Sequence, residues 1–266
     1  MCTLVALFGI HPRFPLVLAA NRDEFLDRPS APPGVLEAQS RAVGGRDLEK
    51  GGTWLGVRPD GFFAGLTNLR PERTPRPALR SRGDAVVRVL RANGPKNAVS
   101  YLKTLDPSDF NGFNLLFGDA SDLRIAYLRP DAPSVHIESV RPGLHVLPTS
   151  YLDDPSYPKV SRIKAALKGP LPEEWEPLAA QLRTAMGDHS LPALEDIAEP
   201  SAGAFLDRQT RRELDAVCIH REGYGTRSAT VMALVPRGVA HYGHAEGPPC
   251  VTEFADCLGL LAPRAP

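Results

Sequence analysis

Residues 53–68 read TWLGVRPDGFFAGLTN. Two apolar runs flank Asp60-Gly61, and an Asp-Gly pair between such runs signals a tight β-hairpin. Antiparallel pairing is therefore the starting point for the whole chain. Upstream, residues 2–9 (CTLVALFG) and 15–20 (PLVLAA) read as two short buried strands joined by IHPRF. Downstream, strand-like runs recur at 113–118 (FNLLFG), 123–128 (LRIAYL), 134–140, 215–220 (DAVCIH), 227–235 (RSATVMALV), 238–243 and 249–255. Helical patterns occupy 83–93, 95–104, 157–168 and 173–187. Residues 21–41, broken by Pro29, Pro32 and Pro33, read as loop. So does 69–82, with three prolines and five arginines. Hairpins at both ends bracket the central helices. The expected class is α+β, with two sheets and covering helices in one domain spanning 1–266.

The chain has 266 residues, 42% of them hydrophobic, which is enough for a sizeable core. Lys plus Arg equals Asp plus Glu at 31 each. That balance lacks the basic footprint of a general nucleic-acid binder. No apolar run approaches the length of a membrane-spanning helix, so no membrane insertion is expected. The first residues lack the charged and apolar regions of a secretion signal, so a cytoplasmic location is the expectation. Four cysteines (Cys2, Cys218, Cys250, Cys257) form no Cys-x-x-Cys pair, so neither a zinc site nor a haem-attachment motif is expected.

Cys2 is the first residue with chemistry to argue. A thiol is nucleophilic only as thiolate, with an ordinary pKa of about 8.5. If Met1 is removed, the α-amine of Cys2, with a pKa of about 7.7–8.0, can act as its own general base. The alternative is a small apolar residue in a buried strand. The stretch ANRDEF (20–25) carries Asn21, Arg22, Asp23 and Glu24 at the end of the second strand. It is either a solvated turn or a polar cluster. Antiparallel pairing of the first two strands brings it beside Cys2, where Asp23 could bind the amine or orient the thiol. Asn68, closing the hairpin in AGLTNLR, is either turn chemistry or an amide donor to an oxyanion. Arg227, in GYGTRSATV, is either a surface ion-pair partner or a cation that favours the thiolate.

Other motifs are weaker. EKGGTW (49–54) lacks the residue order of a phosphate loop, and there is no Gly-x-Ser-x-Gly elbow. SRIK (161–164) reads as an exposed helix face, and His241-x-x-His244 as a strand or turn pair, with a metal site as the minor alternative. The arginine-rich loop 70–82 reads as solvated, with a substrate lid as the alternative.

The ordered set MCTLVALFG, LAANRDEFLDRPS, GGRDLEKGGTWLGV, GFFAGLTNLR and YGTRSATV resembles the NRDE, or transport-and-Golgi-organisation type 2, family. The likeness covers most of the chain and is densest over 1–70 and 215–235. The resemblance implies an N-terminal-nucleophile (Ntn) hydrolase-like αββα sandwich with two antiparallel sheets. Bile-salt hydrolases and penicillin V acylases are the mechanistic relatives it implies. By that resemblance Cys2 is the nucleophile after Met1 removal. Asp23 anchors it, Asn68 falls near the oxyanion position, and Arg227 supports the thiolate. Thr149 stands where a second asparagine is expected. Asn21, Arg22, Trp54 and Arg70, inside the same motifs, are expected around the substrate. The related hydrolases carry an arginine just before the Asn-x-Asp stretch, where this chain has Ala19 and Ala20. Arg22 is the replacement at hand, with its side chain expected to point the other way.

The implied activity is hydrolysis or acyl transfer at a nonpeptide amide, with a small amide or acyl substrate and no cofactor. The family also suggests a non-catalytic alternative, binding haem or an acyl-CoA-like lipid. A haem carrier needs an axial ligand, and Cys2 or one of seven histidines could supply it.

Overall fold

The computed structural model describes residues 2–70, 76 and 78–262. The chain opens with antiparallel neighbours β1 (Cys2–Phe8) and β2 (Leu16–Phe25), Cys2 opposite Arg22 and Phe8 opposite Leu16. A meander follows through β3 (Ser30–Val35), β4 (Val43–Asp47), β5 (Leu55–Val57) and β6 (Phe63–Asn68). Helices α1 (Arg82–Arg91) and α2 (Pro95–Leu102) interrupt it. The meander then resumes as β7 (Phe113–Gly118), β8 (Leu123–Leu128) and β9 (His136–Ser139). Next, β10 (Gly143–Leu147) crosses back to pair with β1. Helices α3 (Pro158–Ala166), α4 (Trp175–Met186) and α5 (Arg208–Leu214) lead into the final strands. These are β11 (His220–Arg221), β12 (Tyr224–Val235), β13 (Gly238–Ala245) and β14 (Ala255–Asp256).

Among the described residues there are two seven-stranded antiparallel sheets. One runs β10-β1-β2-β12-β13-β14, with β11 on β12, and the other runs β3 through β9 in chain order. Alternation along the strands assigns the faces. On β1, Leu4, Ala6 and Phe8 enter a core shared by both sheets, with Val57, Phe63 and Ile125 across from them. Val5 and Leu7 point the other way, onto Val160, Ile163, Leu178 and Leu182 of α3 and α4. The outer face of the second sheet buries Phe113, Leu115 and Phe117 under Val86, Val89 and Leu90 of α1. Four layers result, in the order α, β, β, α. Strands buried on both faces read as continuous apolar runs, and CTLVALF is one.

The Asp60-Gly61 hairpin is present: Gly61 takes φ 83° and its N–H donates to Arg58 O at 3.0 Å. Three readings need correction. Residues 21–25 continue β2, and 30–35 are a strand rather than loop. β3 tolerates Pro32 and Pro33 because it is an edge strand with a register shift between Ala31 and Gly34. The stretch 215–219 is buried but not strand, and 249–254 is turn and irregular chain leading into β14 at Ala255. Burial without a ladder partner gives the same apolar pattern as a short strand. The strand at 143–147 and the short helix at 208–214 carried no periodic signal strong enough to read. Among the described residues, no helix is long and apolar enough to cross a membrane.

Candidate active site

The even positions of β1 and β2 face the core between the sheets: Leu4, Ala6 and Phe8 on one strand, Leu16, Leu18 and Ala20 on the other. Cys2 and Arg22 end those two stripes and sit opposite one another in the ladder. Both are buried, Cys2 at 7% exposure and Arg22 at 4%. Ala20 and Arg22 share a face, two residues apart. Arg22 thus points into the space an arginine at position 20 would reach, correcting the expectation that it points away. Its guanidinium stacks over the Trp54 ring at 4.3 Å.

Where the inter-sheet core ends, a cleft of about 270 Å³ opens. Cys2, Arg22, Trp54, Leu66 and Asn68 line it, together with Ser81, Arg82 and Gly83 at the start of α1. The glycines of EKGGTW shape one wall. Gly52 has φ +83°, and a Cβ there would lie 2.3 Å from the backbone of Gly83. The chain thus brings Thr53 against the helix start, where its N–H donates to Gly83 O at 3.3 Å. Six cationic side chains (Arg22, Arg28, Lys50, Arg76, Arg80, Arg82) and three acidic ones (Glu24, Asp47, Glu49) line the cleft. Arg28 engages all three acids, with Asp47 at 2.6 Å, Glu49 at 3.6 Å and Glu24 at 3.8 Å. The cleft therefore carries a surplus of positive charge beside the thiol. None of the seven histidines lines it.

Burial pushes the Cys2 thiol above its ordinary pKa, and the charge of Asp23 adds to that. The Asp23 N–H, hydrogen-bonded to the sulfur, and the Arg22 charge pull the other way. Activation of the thiol therefore falls to a base. Burial lowers the Arg22 guanidinium, while negative charge on Cys2, Glu24 and Asp47 favours its proton. Arg82 behaves in the same way: burial lowers it, and Glu24 and Cys2 oppose.

Asp23 lies on the other face of the sheet. The odd positions Val17 and Ala19 pack on the helix layer, and Asn21 and Asp23 continue that stripe. The Thr226 hydroxyl donates to Asp23 Oδ1 at 2.7 Å, and the Tyr224 hydroxyl donates to its carbonyl at 2.9 Å. Burial raises the Asp23 carboxyl, countered by the charge of Lys159. Lys159, on the buried face of α3, has its Nζ 3.4 Å from Thr3 Oγ1. Burial lowers Lys159, and Asp23 and Asp215 favour its charged form. Thiol and carboxylate thus stand on opposite faces of one sheet, and the Cys2 backbone lies between them.

The remaining expected residues separate. Asn68 and Trp54 join Cys2 and Arg22 in the cleft. Asn21 does not: its Nδ2 donates to Met186 O and Val217 O, each at 2.9 Å. Arg70 pairs with Asp215 at 2.6 Å and lies over the Tyr157 ring at 4.5 Å, away from the cleft. Thr149 is buried, its carbonyl accepting from Arg70 N–H at 2.9 Å and its side chain hydrogen-bonded to Tyr157. Arg227 is the extra residue of a bulge, since Thr226 pairs with Asp23 and Ser228 with Arg22. Its guanidinium binds the carbonyls of Phe25 and Leu26, while the charges of Arg22 and Arg82 bear on the thiol. Lys164 of the SRIK stretch pairs with Asp153 at 2.9 Å. His241 and His244 face opposite sides of β13, one stacked on Trp175 and the other bound to Thr230 and Glu246. Most of the loop 70–82 between Arg70 and Ala78 lies outside the described residues, as does Met1.

Lys159 and Arg82 were not singled out from sequence. Lys159 sits on the apolar stripe with Val160 and Ile163, and a lysine in such a stripe is the available signal.

The chain matches the family model described as Transport and Golgi organisation 2 over residues 1–243. It belongs to the Transport and Golgi organisation 2 family. The Bos taurus Transport and Golgi organization protein 2 homolog is 32% identical over 251 residues, covering 87% of this chain and 88% of that protein. The Homo sapiens homolog is 30% identical over 251 residues, with the same coverage of 87% and 88%. Two solved structures share the fold at 12% identity. The Caenorhabditis elegans N-acylethanolamine-hydrolyzing acid amidase ortholog has a TM-score of 0.51, covering 88% of this chain and 92% of that one. An arginine-to-leucine variant of conjugated bile acid hydrolase from Clostridium perfringens also has a TM-score of 0.51, covering 98% and 94%. This member of the Transport and Golgi organisation 2 family thus has the Ntn-hydrolase αββα fold.

Proposed function

We propose that this protein is a cysteine N-terminal-nucleophile amidohydrolase or acyltransferase acting on a nonpeptide amide whose acyl part carries negative charge. The observation that carries the reading is Cys2 opposite Arg22 at the floor of a cationic cleft. With Met1 removed, the Cys2 amine takes the thiol proton and the thiolate attacks the amide carbonyl. The tetrahedral oxyanion accepts from the Asn68 amide, and such a donor is worth about 3–4 kcal/mol in acyl transfer. Collapse breaks the C–N bond, and the departing amine takes the proton from the Cys2 amine. Water, or an acceptor amine, then attacks the acyl-thioester and the thiol is restored. Asp23 reaches the Cys2 amine from the helix side of the sheet. The reading carries a reducing, cytoplasmic setting, in line with four cysteines outside any disulfide.

The positive cleft equally suits capture of haem propionates or an acyl-CoA-like ligand without turnover, which is the second reading. The test begins with the intact mass of protein from its native host, before and after a thiol probe. The expected result is loss of Met1 with the probe on Cys2, followed by turnover in a screen of anionic acyl amides that Cys2→Ala abolishes. Retained Met1, or turnover that survives Cys2→Ala, would overturn the mechanism. Stoichiometric haem or acyl-CoA binding unaffected by Cys2→Ala would favour the second reading.

A further inference from the structure

Beyond the cleft, the structure gathers a second set of chemical groups. Cys218 Sγ lies 3.7 Å from Cys250 Sγ and 3.6 Å from His220 Nε2. His220 Nε2 lies 3.2 Å from Cys250 Sγ. The ligand atom of His189 lies within 4.8 Å of those of His220 and Cys250. Zinc bonds of about 2.3 Å to sulfur and about 2.0–2.1 Å to nitrogen at tetrahedral angles require roughly 3.8 Å between sulfurs and roughly 3.6 Å between sulfur and nitrogen. The separations of 3.7 Å between sulfurs and 3.6 and 3.2 Å between sulfur and nitrogen sit close to those values.

We propose that Cys218, His220 and Cys250 bind one zinc ion, with the exposed His189 imidazole, set by its distance from His220 and Cys250 alone, turning in to complete a tetrahedral site. Two thiolates neutralise the dication, and their softness with two imidazoles selects zinc over magnesium or calcium. Two thiol protons leave to solvent on binding. Four protein ligands leave no open position, so the ion is structural. It joins the segment after α4, the buried segment before β11, and the turn before β14.

The surrounding backbone is built to hold these segments together. Cys218 N–H donates to Asp188 O at 2.9 Å. Asn21 Nδ2 bridges Met186 O and Val217 O, so β2 itself pins two of the ligand-bearing segments. Gly187 lets the third approach, since a Cβ there would lie 3.3 Å from Cys250 Cα. A cleft of about 630 Å³, lined by His189 and His220, gives the ion an entry path. The expectation of no metal rested on the missing Cys-x-x-Cys pair. Here the ligands come from three segments separated by about thirty residues each and meet only in the fold. A bare disulfide would explain the two sulfurs but not the two imidazoles beside them.

The test uses the full chain, reduced and stripped with a chelator, then titrated with cobalt(II) followed by zinc. One equivalent of cobalt should give thiolate charge-transfer and intense tetrahedral ligand-field bands, which one equivalent of zinc removes. Zinc should also raise the melting temperature. Cys218→Ser, Cys250→Ser, His220→Ala and His189→Ala should each weaken cobalt binding by at least about tenfold, the cost even of losing an outer partner. Cys257→Ser should leave it unchanged. A pale octahedral spectrum in the unaltered protein would overturn the site, and that measurement needs no variant to fold. Full binding by Cys250→Ser and His220→Ala, or a Cys218–Cys250 disulfide persisting under reductant, would also overturn it.

Discussion

Asp23 and Thr226 face each other across β2 and β12, with the Thr226 hydroxyl donating to Asp23 Oδ1 at 2.7 Å on the helix-covered side of the sheet. The Cys2 thiol is on the opposite side, in the cleft. Asp23 therefore bears on the nucleophile through its charge, across the backbone between them, and through its backbone N–H on the sulfur.

Asp23 and Lys159 are buried charges that favour each other's ionised form. Asp23→Asn leaves Lys159 with less compensation, and breaking a buried pair from one side costs about 3–5 kcal/mol. Urea unfolding should show a loss of that order. Asp23→Asn combined with Lys159→Met should recover much of it. Equal losses in the single and double variants would show that the two charges do not interact.

Arg22 contributes the positive charge beside Cys2. An opposite charge within about 4–6 Å shifts a pKa by about 1–3 units. Arg22→Leu should raise the Cys2 pKa further and slow alkylation at neutral pH by about tenfold or more. Arg227→Ala, which removes a guanidinium bound to the Phe25 and Leu26 carbonyls, should change the rate little. Alkylation rates followed against pH decide which arginine acts on the thiol.

Gly45 supports Trp54 from behind. A Cβ at Gly45 would come within 2.2 Å of the Trp54 ring. Gly45→Ala should push the indole off Arg22 and destabilise the fold by about 1–3 kcal/mol, as overpacking does. Tryptophan fluorescence should shift, and a Trp175→Phe background isolates the Trp54 signal. Unchanged emission and unchanged stability would mean that the ring does not depend on Gly45.

The pair His145 and Asp153, 2.7 Å apart, sets a pH dependence. The hydrogen bond to Asp153 raises His145. Burial opposes ionisation of Asp153, but the bonds from His145 and the Val146 N–H hold its carboxyl below the usual range. A raised histidine stabilises fully below its unfolded value of about 6.5, and the gain is lost as pH rises through the folded value. A lowered carboxyl stabilises above about 3.9, and that gain is lost as pH falls through the folded value. Both contributions are complete between roughly pH 4 and 6.5. Melting temperature should fall as pH rises beyond that window, and His145→Gln should remove the slope. An identical slope in the variant would assign the effect elsewhere.

The alternation of β1 and the Asp-Gly hairpin were readable because each depends on neighbours in sequence. Asn68 and Arg22 stand in polar stretches at strand ends, and Trp54 was expected only as part of the resembled motifs; the strands bring all three to the cleft. Arg70 and Thr149 occupy similar stretches but serve each other, Asp215 and Tyr157 instead. No local pattern records which of two strand-end arginines meets a carboxylate from a segment 145 residues away.

The amino-acid sequence by itself determined two antiparallel sheets, the helices that cover them, and Cys2 at the head of the first strand. Periods of two and 3.6 residues, turn residues and apolar runs are local properties, and they suffice for that much. Tertiary structure alone decided what each polar residue meets at the site. A bulge at Arg227 carries its guanidinium to the Phe25 and Leu26 carbonyls. Burial on α3 makes Lys159 a partner of Asp23, and three distant segments bring Cys218, His220 and Cys250 within 4 Å of one another. Those outcomes depend on contacts between residues far apart in the chain, and only the packed fold brings them together.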